Sequence, residues 1–158
     1  MNLRAAHKNT PPRAFHLEAA EVPEARRSGA RVRVLAGTFD GVSSPLTELA
    51  TPVLLLDVFV DAGARLEIPA PHPLFVLAID GDGAVGAEPL PAHGALTTEA
   101  PVVLTGGVGG LHAVVGGGAP IGAPVVFGGP FVGNTRADIE AAHARYQRGE
   151  MGRLDPSF

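Results

Sequence analysis

The chain has 158 residues, 46% hydrophobic and 18% charged, which is one domain's length of foldable chain and far from the low-hydrophobicity, high-charge regime of disorder. A formal charge of −4 and a single lysine, Lys8, give no electrostatic reason to hold a polyanion, so nucleic acid is not expected as a direct partner. The absence of cysteine excludes disulfides, thiol nucleophiles and Cys-ligated metals, and 21 glycines and 15 prolines without a fixed period favour a turn-rich, all-β architecture over long helices.

Residues 1–30 carry Pro11-Pro12, Pro23, Arg26-Arg27 and Ser28-Gly29 with no sustained period of 2 or 3.6, which predicts an extended N-terminal arm. Its first residues lack the apolar stretch of a signal peptide. The longest apolar run, from Pro52 to Val60, falls far short of the roughly 20 residues of a spanning helix, so no membrane partner and a cytoplasmic location are expected. The folded body is expected from Arg31, where Arg31-Val32-Arg33-Val34 alternates like a half-buried strand. In the run Pro52 to Val60, Leu54, Leu56, Val58 and Val60 share one apolar face, and Asp57 falls on the opposite one.

Asp61-Ala62-Gly63 predicts a turn into Arg65-Leu66-Glu67-Ile68-Pro69, whose alternation puts Arg65 and Glu67 together on one face. Leu74 to Ile79 reads as a buried strand, and the following Asp80-Gly81-Asp82-Gly83 as a tight hairpin turn. Short runs at Val102 to Thr105, Leu111 to Val115 and Pro124 to Phe127 are separated by glycine clusters, a spacing that predicts a β-sandwich or barrel over residues 31–134. Residues 135–158 are expected to hold a C-terminal helix and tail. Thr135-Arg136-Ala137-Asp138 has the pattern of a helix start, Ile139, Ala142 and Tyr146 share a face, and Gly149 suits a left-handed cap, which predicts a helix near 136–148.

Tested against known chemistry, most motifs fail. Gly107-Val108-Gly109 is followed by His112 where a dinucleotide fingerprint needs its third glycine, and no Gly-Lys-Ser/Thr exists for a phosphate loop. Gly41-Val42-Ser43-Ser44-Pro45 ends in proline where a nucleophile elbow needs glycine, so a plain turn is expected. Pro91 stands where a calcium loop opened by Asp80 and Asp82 would need its glutamate. His72, His93 and His112, with Glu67 or Asp57, could in principle line one barrel as a His–carboxylate metal site. No two histidines are spaced i, i+2 or i, i+4, however, so no metal is expected. His143, four residues beyond Ile139, reads as a packing or interface residue.

The string Pro120 to Thr135, with Gly129-Pro130-Phe131-Val132 before Asn134-Thr135 and an acidic helix ending in Tyr146-Gln147-Arg148-Gly149, resembles the C-terminal signature of the pirin family. Ala30 to Gly37 and Pro52 to Pro69 resemble the opening strands of its C-terminal cupin, and Asn2 to Arg13 is similar to the segment joining its two domains. The resemblance implies a cupin-type double-stranded β-barrel, or jelly roll. It also implies that iron, held by three histidines and a glutamate, belongs to the family's N-terminal cupin, so that this chain corresponds to the C-terminal cupin alone. The quercetin-type dioxygenase activity of the family then transfers to no residue here.

Three functions follow as expectations. The first is a non-catalytic, cofactor-free interaction module that forms a homodimer or completes a separately encoded pirin N-terminal cupin, with Pro11, Pro12, Ile139, His143 and Tyr146 at the interface. The second is a small-molecule-binding or metal-independent enzymatic cupin using Glu67, His72, His93 or His112 in the barrel interior. The third, a metal-dependent dioxygenase, ranks last. A barrel filled by Leu, Val and Phe favours the first, and a buried polar cluster favours the second.

Overall fold

A computed structural model describes residues 3–11, 13–69, 72–99 and 101–152. Contacts divide the chain into two compact units, residues 15–120 and residues 1–14 with 121–158. The first unit is built from β1 (Glu24–Arg27), β2 (Ala30–Ala36), β3 (Thr38–Phe39), β4 (Val42–Ser43), β5 (Leu54–Val60), β6 (Arg65–Ile68), β7 (Leu74–Val85), β8 (Glu88–Leu90), β9 (Ala95–Thr98) and β10 (Val102–Gly117). Eight of these strands form one antiparallel sheet with the path β1-β2-β5-β10-β7-β8, while β6 also pairs with β10 and β9 with β7.

Period-2 alternation decides which side chains enter the barrel. On β2, Val32 and Val34 are buried between half-buried arginines, and on β5 the same phase buries Leu56, Val58 and Val60. Leu66, Ile68, Leu74, Val76, Val102, Leu104 and Val115 complete an interior made of branched aliphatic side chains. Ser44 is the one buried polar residue among the described ones, and its hydroxyl donates to the Leu35 carbonyl at 2.8 Å. The expected plain turn at Gly41 is present as a hairpin in which Asp40 and Gly41, both at positive φ, join β3 to β4.

Three expectations need correction. Strand β1 lies inside the segment read as an arm, paired residue for residue with β2 from Glu24↔Arg33 to Arg27↔Ala30. Its partner across the Gly29 turn was the missing information, since four residues with one buried alanine carry little periodic signal. Asp80-Gly81-Asp82-Gly83 is no hairpin turn but the middle of β7. Gly81, at φ +70, sits where a Cβ would lie 2.2 Å from the Gly110 carbonyl oxygen, so glycine there permits close strand approach beside a bulge. The glycine clusters near 106–110 likewise separate nothing: β10 is one long strand that pairs with β6 through Val102–Thr105 and with β5 through Leu111–Gly117, while β7 flanks both stretches. Glycine marks the bend at which the strand exchanges one partner for another.

The second unit contains β11 (Val126–Gly128), β12 (Phe131–Gly133) and α1 (Arg136–Gln147). The hairpin is closed by Gly129 at φ +57, and α1 packs so closely on it that a Cβ on Gly128 would overlap Ile139 and one on Gly133 would overlap Asp138 Cβ. The helix matches its predicted span, with Thr135 as its N-cap and Gly149 at φ +72 beyond its end. The arm's first residues belong to this unit, since Lys8 Nζ donates to the Val132 carbonyl at 3.3 Å and Arg145 donates to Asn9 Oδ1 at 3.0 Å. No helix among the described residues is long and apolar enough to cross a membrane.

Candidate functional site

The four histidine and glutamate positions expected inside the barrel do not meet there. Glu67 points outward from β6 and is exposed, and His93 occupies the exposed turn between β8 and β9 at φ +60. His72 lines a hollow of about 220 Å³ at one end of the barrel, with Pro52, Leu54, Pro69, Leu74 and Gly117 among its walls. His112 lies on β10 on the outer face of the sheet. Leu74, two residues beyond His72, pairs with Gly117, which lies about 17 Å along β10 from His112 at strand rise, so the two histidines sit at opposite ends of this stretch.

Asp57 and His112 are brought together, 55 residues apart in sequence, by the β5–β10 register, in which His112 pairs with Phe59 and Val114 with Asp57. The apolar phase of β5 that buries Leu56 and Val58 turns Asp57 outward, onto the same face as His112. His112 Nε2 donates to Asp57 Oδ1 at 2.6 Å, and Arg33 Nη1 donates to Asp57 Oδ2 at 3.2 Å. With a side chain only 14% exposed, Asp57 is largely withdrawn from water, and both its oxygens are satisfied. A carboxylate in that setting requires such partners.

The arrangement extends across the sheet. The His112 ring stacks on Phe59 with centroids 4.1 Å apart and planes 12° from parallel. The Arg31 guanidinium lies 3.9 Å from the Phe59 centroid, so the phenyl ring is held between a cation and an imidazole. Arg31 then donates to Glu24 Oε1 at 2.8 Å, and Arg26 donates to the other Glu24 oxygen at 2.8 Å. The Arg31 hydrogen bond, reinforced by the charges of Arg31 and Arg26 and opposed by partial desolvation, holds the Glu24 carboxyl below the usual carboxylate range. The result is a ladder of side chains running outside the barrel over β1, β2, β5 and β10.

These residues do not fit a metal. No three His, Asp or Glu side chains converge as a ligand set among the described residues. The Asp57–His112 pair has a guanidinium on its second carboxylate oxygen, which would oppose a further cation there. Iron held by three histidines and a glutamate therefore finds no matching donor set in the described part of this chain.

In the second unit the expected interface residues divide. Ile139 is taken up inside its own unit, so it is a core residue there and not an exposed contact. His143 Nδ1 donates to the Ile139 carbonyl at 3.0 Å, and its ring meets the edge of Phe131 at 4.9 Å, while Tyr146 touches Phe131 at 6.2 Å and stays largely exposed. Pro11 is exposed, and Pro12 lies outside the described residues.

A strongly bent antiparallel sheet around an interior of Val, Leu and Ile, with its ionisable groups outside, defines this protein as a cupin jelly roll. The profile of the pirin C-terminal cupin domain matches residues 55–152, and the chain belongs to the pirin family. It is 34% identical to a pirin-like protein of Solanum lycopersicum over 96% of this chain and 55% of that one, and 30% identical to pirin of Homo sapiens over the same two shares. The structure superposes on a quercetin 2,3-dioxygenase of Acinetobacter baumannii with a TM-score of 0.84 at 25% identity, covering 98% of this chain and 56% of that one. The chain thus spans about half the length of the relatives it matches.

Proposed function

We propose that this chain is a non-catalytic cupin module that acts by association, in the first instance with a second copy of itself. The observation that carries this reading is the filled barrel: Leu56, Ile68, Leu104, Val58, Val76, Val102 and Val115 occupy the interior in which a catalytic cupin would need space and polar groups. A surface suited to association is at hand, since Phe75, Leu77 and Ile79 lie exposed along β7. A pirin N-terminal cupin encoded separately is the other partner compatible with this surface.

The test combines light scattering, metal analysis and oxygen consumption with quercetin, the compound named for the Acinetobacter relative. The expected outcome is a dimer at micromolar concentration with neither stoichiometric metal nor quercetin-dependent oxygen uptake. A monomer would overturn the self-association, and metal with turnover would overturn the non-catalytic reading. A second reading draws on the hollow beside His72, whose mostly apolar walls and single imidazole suit a small apolar ligand at the barrel end.

A further inference from the structure

Asp40, Asp80 and Asp82 are each followed directly by glycine, and among these described residues only Asp80 turns its side chain back onto the next amide. We propose that Asp80-Gly81 is a self-modification site of the folded chain, at which the Gly81 nitrogen closes on the Asp80 carboxyl carbon to a succinimide that opens to isoaspartate.

The reacting groups already touch. The Gly81 amide donates to Asp80 Oδ1 at 2.8 Å, and with a C–O bond of about 1.2 Å this puts Cγ within about 4 Å of the nitrogen, close to the roughly 3 to 3.5 Å of a near-attack geometry. Asp80 is exposed, so water reaches its carboxyl, and Gly81 has no Cβ to shield the nitrogen. The sheet also holds this pair loosely. Leu111↔Gly81 and His112↔Asp80 are two rungs isolated between register shifts on either side. On its other edge β7 pairs with β9 over Leu74–Leu77 and with β8 over Gly83–Val85, which leaves Asp80 and Gly81 without a second neighbouring strand among the described residues. A stretch held by two rungs on one side opens at low cost, which supplies the main-chain rotation that ring closure needs.

The other two aspartates are committed elsewhere: Asp40 is ion-paired with Arg27, and Asp82 Oδ1 fills the space that a Cβ on Gly107 would occupy. The chemistry at Asp80 needs water alone. The Gly81 nitrogen forms a bond to Cγ and releases its proton, while the protonated carboxyl loses its hydroxyl, and the two depart as water. Water then adds to one of the two ring carbonyl carbons next to nitrogen and breaks that carbon's bond to it. Attack at Cγ restores aspartate; attack at the former main-chain carbonyl carbon routes the chain through Cβ and Cγ and gives isoaspartate, with no net change in composition. The added main-chain carbon falls between the two register shifts, where the ladder is already out of step and admits it. The product carries a free α-carboxylate, the group that an isoaspartyl carboxyl methyltransferase esterifies.

The experiment incubates the folded full chain, beside the same chain unfolded in urea, in mildly acidic buffer at physiological temperature. Isoaspartate is counted by methyl transfer from S-adenosylmethionine with an isoaspartyl methyltransferase, and located by peptide fragmentation that separates Asp80 from Asp82. Expected in the folded protein is isoaspartate at Asp80 forming about tenfold faster than at Asp40 or Asp82, whereas urea brings the three positions within about twofold of one another. Asp80→Asn reaches the same succinimide by losing ammonia and should give isoaspartate at this position faster still. Asp80→Glu would need a six-membered ring and should remove the signal, and the exposed position keeps both variants folded. Equal rates at the three positions in the folded protein, or isoaspartate at Asp80 that appears only in urea, would each overturn the proposal.

Discussion

Asp57 is the one charged side chain in an otherwise apolar strand, and its environment explains how the sheet tolerates it. Its two oxygens are divided between His112 and Arg33, and neither partner is drawn from its own strand. Removing the carboxylate leaves an arginine at 22% and a histidine at 30% side-chain exposure facing each other without the anion between them. Asp57→Ala is therefore expected to lower unfolding stability by about 1 to 3 kcal/mol in urea denaturation, the cost of stranding partly buried polar groups. Glu67→Ala is the internal comparison, since Glu67 stands exposed on β6 and its loss should change stability by less than about 0.5 kcal/mol. Equal effects at the two positions would show that the Asp57 ladder contributes nothing beyond an ordinary surface charge.

At the scale of elements, α1 is the clearest case of local sequence dictating structure. Thr135 Oγ1 accepts from the Asp138 amide at 3.1 Å, and the Asp138 carboxylate accepts from the Thr135 and Asn134 amides at 2.8 and 2.9 Å. Those backbone hydrogen bonds, Thr135 first and Asn134 next, hold the Asp138 carboxyl below its ordinary 3.8. Because the folded value is depressed, the cap's contribution is complete above the usual aspartate range and is lost as pH falls through the lowered value. An NMR titration of the Asn134 and Thr135 amides should give a midpoint below 3.8, and Asp138→Asn should abolish it; a midpoint at or above 3.8 would contradict the cap. Thr135→Ala should cost about 1 kcal/mol in the same unit.

The same scale shows what sequence carries and what it does not. The cap, the helix span and the phase of β5 are local patterns, and all three are present as read. The glycines of β7 and β10 misled because glycine in sequence signals both a turn and a close strand crossing, and only the partner strand distinguishes them. The Asp57–His112 pair depends on the register of two strands 55 residues apart, which no local pattern specifies. Its only trace in sequence was a lone aspartate inside an apolar run. The histidines weighed as barrel residues were legible as residues but not as positions, since a barrel has two ends and two faces and spacing alone does not choose among them.

For the whole molecule, the outer face of the sheet decides how the module could associate. Phe75 pairs with Gly116 across β7 and β10, and a Cβ on Gly116 would lie 2.8 Å from the Phe75 ring, so the phenyl group covers the glycine. Leu77 and Ile79 continue the stripe along β7, and Phe75, Leu77 and Ile79 are 41%, 37% and 39% exposed. At its border the charges of Arg33 and Asp57 are already paired within the chain, so a second copy docking by a twofold contact would bury apolar surface without stranding an ion. Such a contact places each stripe against its own image, and a single substitution therefore acts twice. Phe75→Glu and Leu77→Glu, made at exposed positions of the monomer, should leave thermal unfolding nearly unchanged while placing like charges opposite each other in the dimer. Light scattering is expected to show monomers for both variants under conditions in which the parent chain is dimeric. If both variants remain dimers, association uses another surface and the β7 stripe is not the contact.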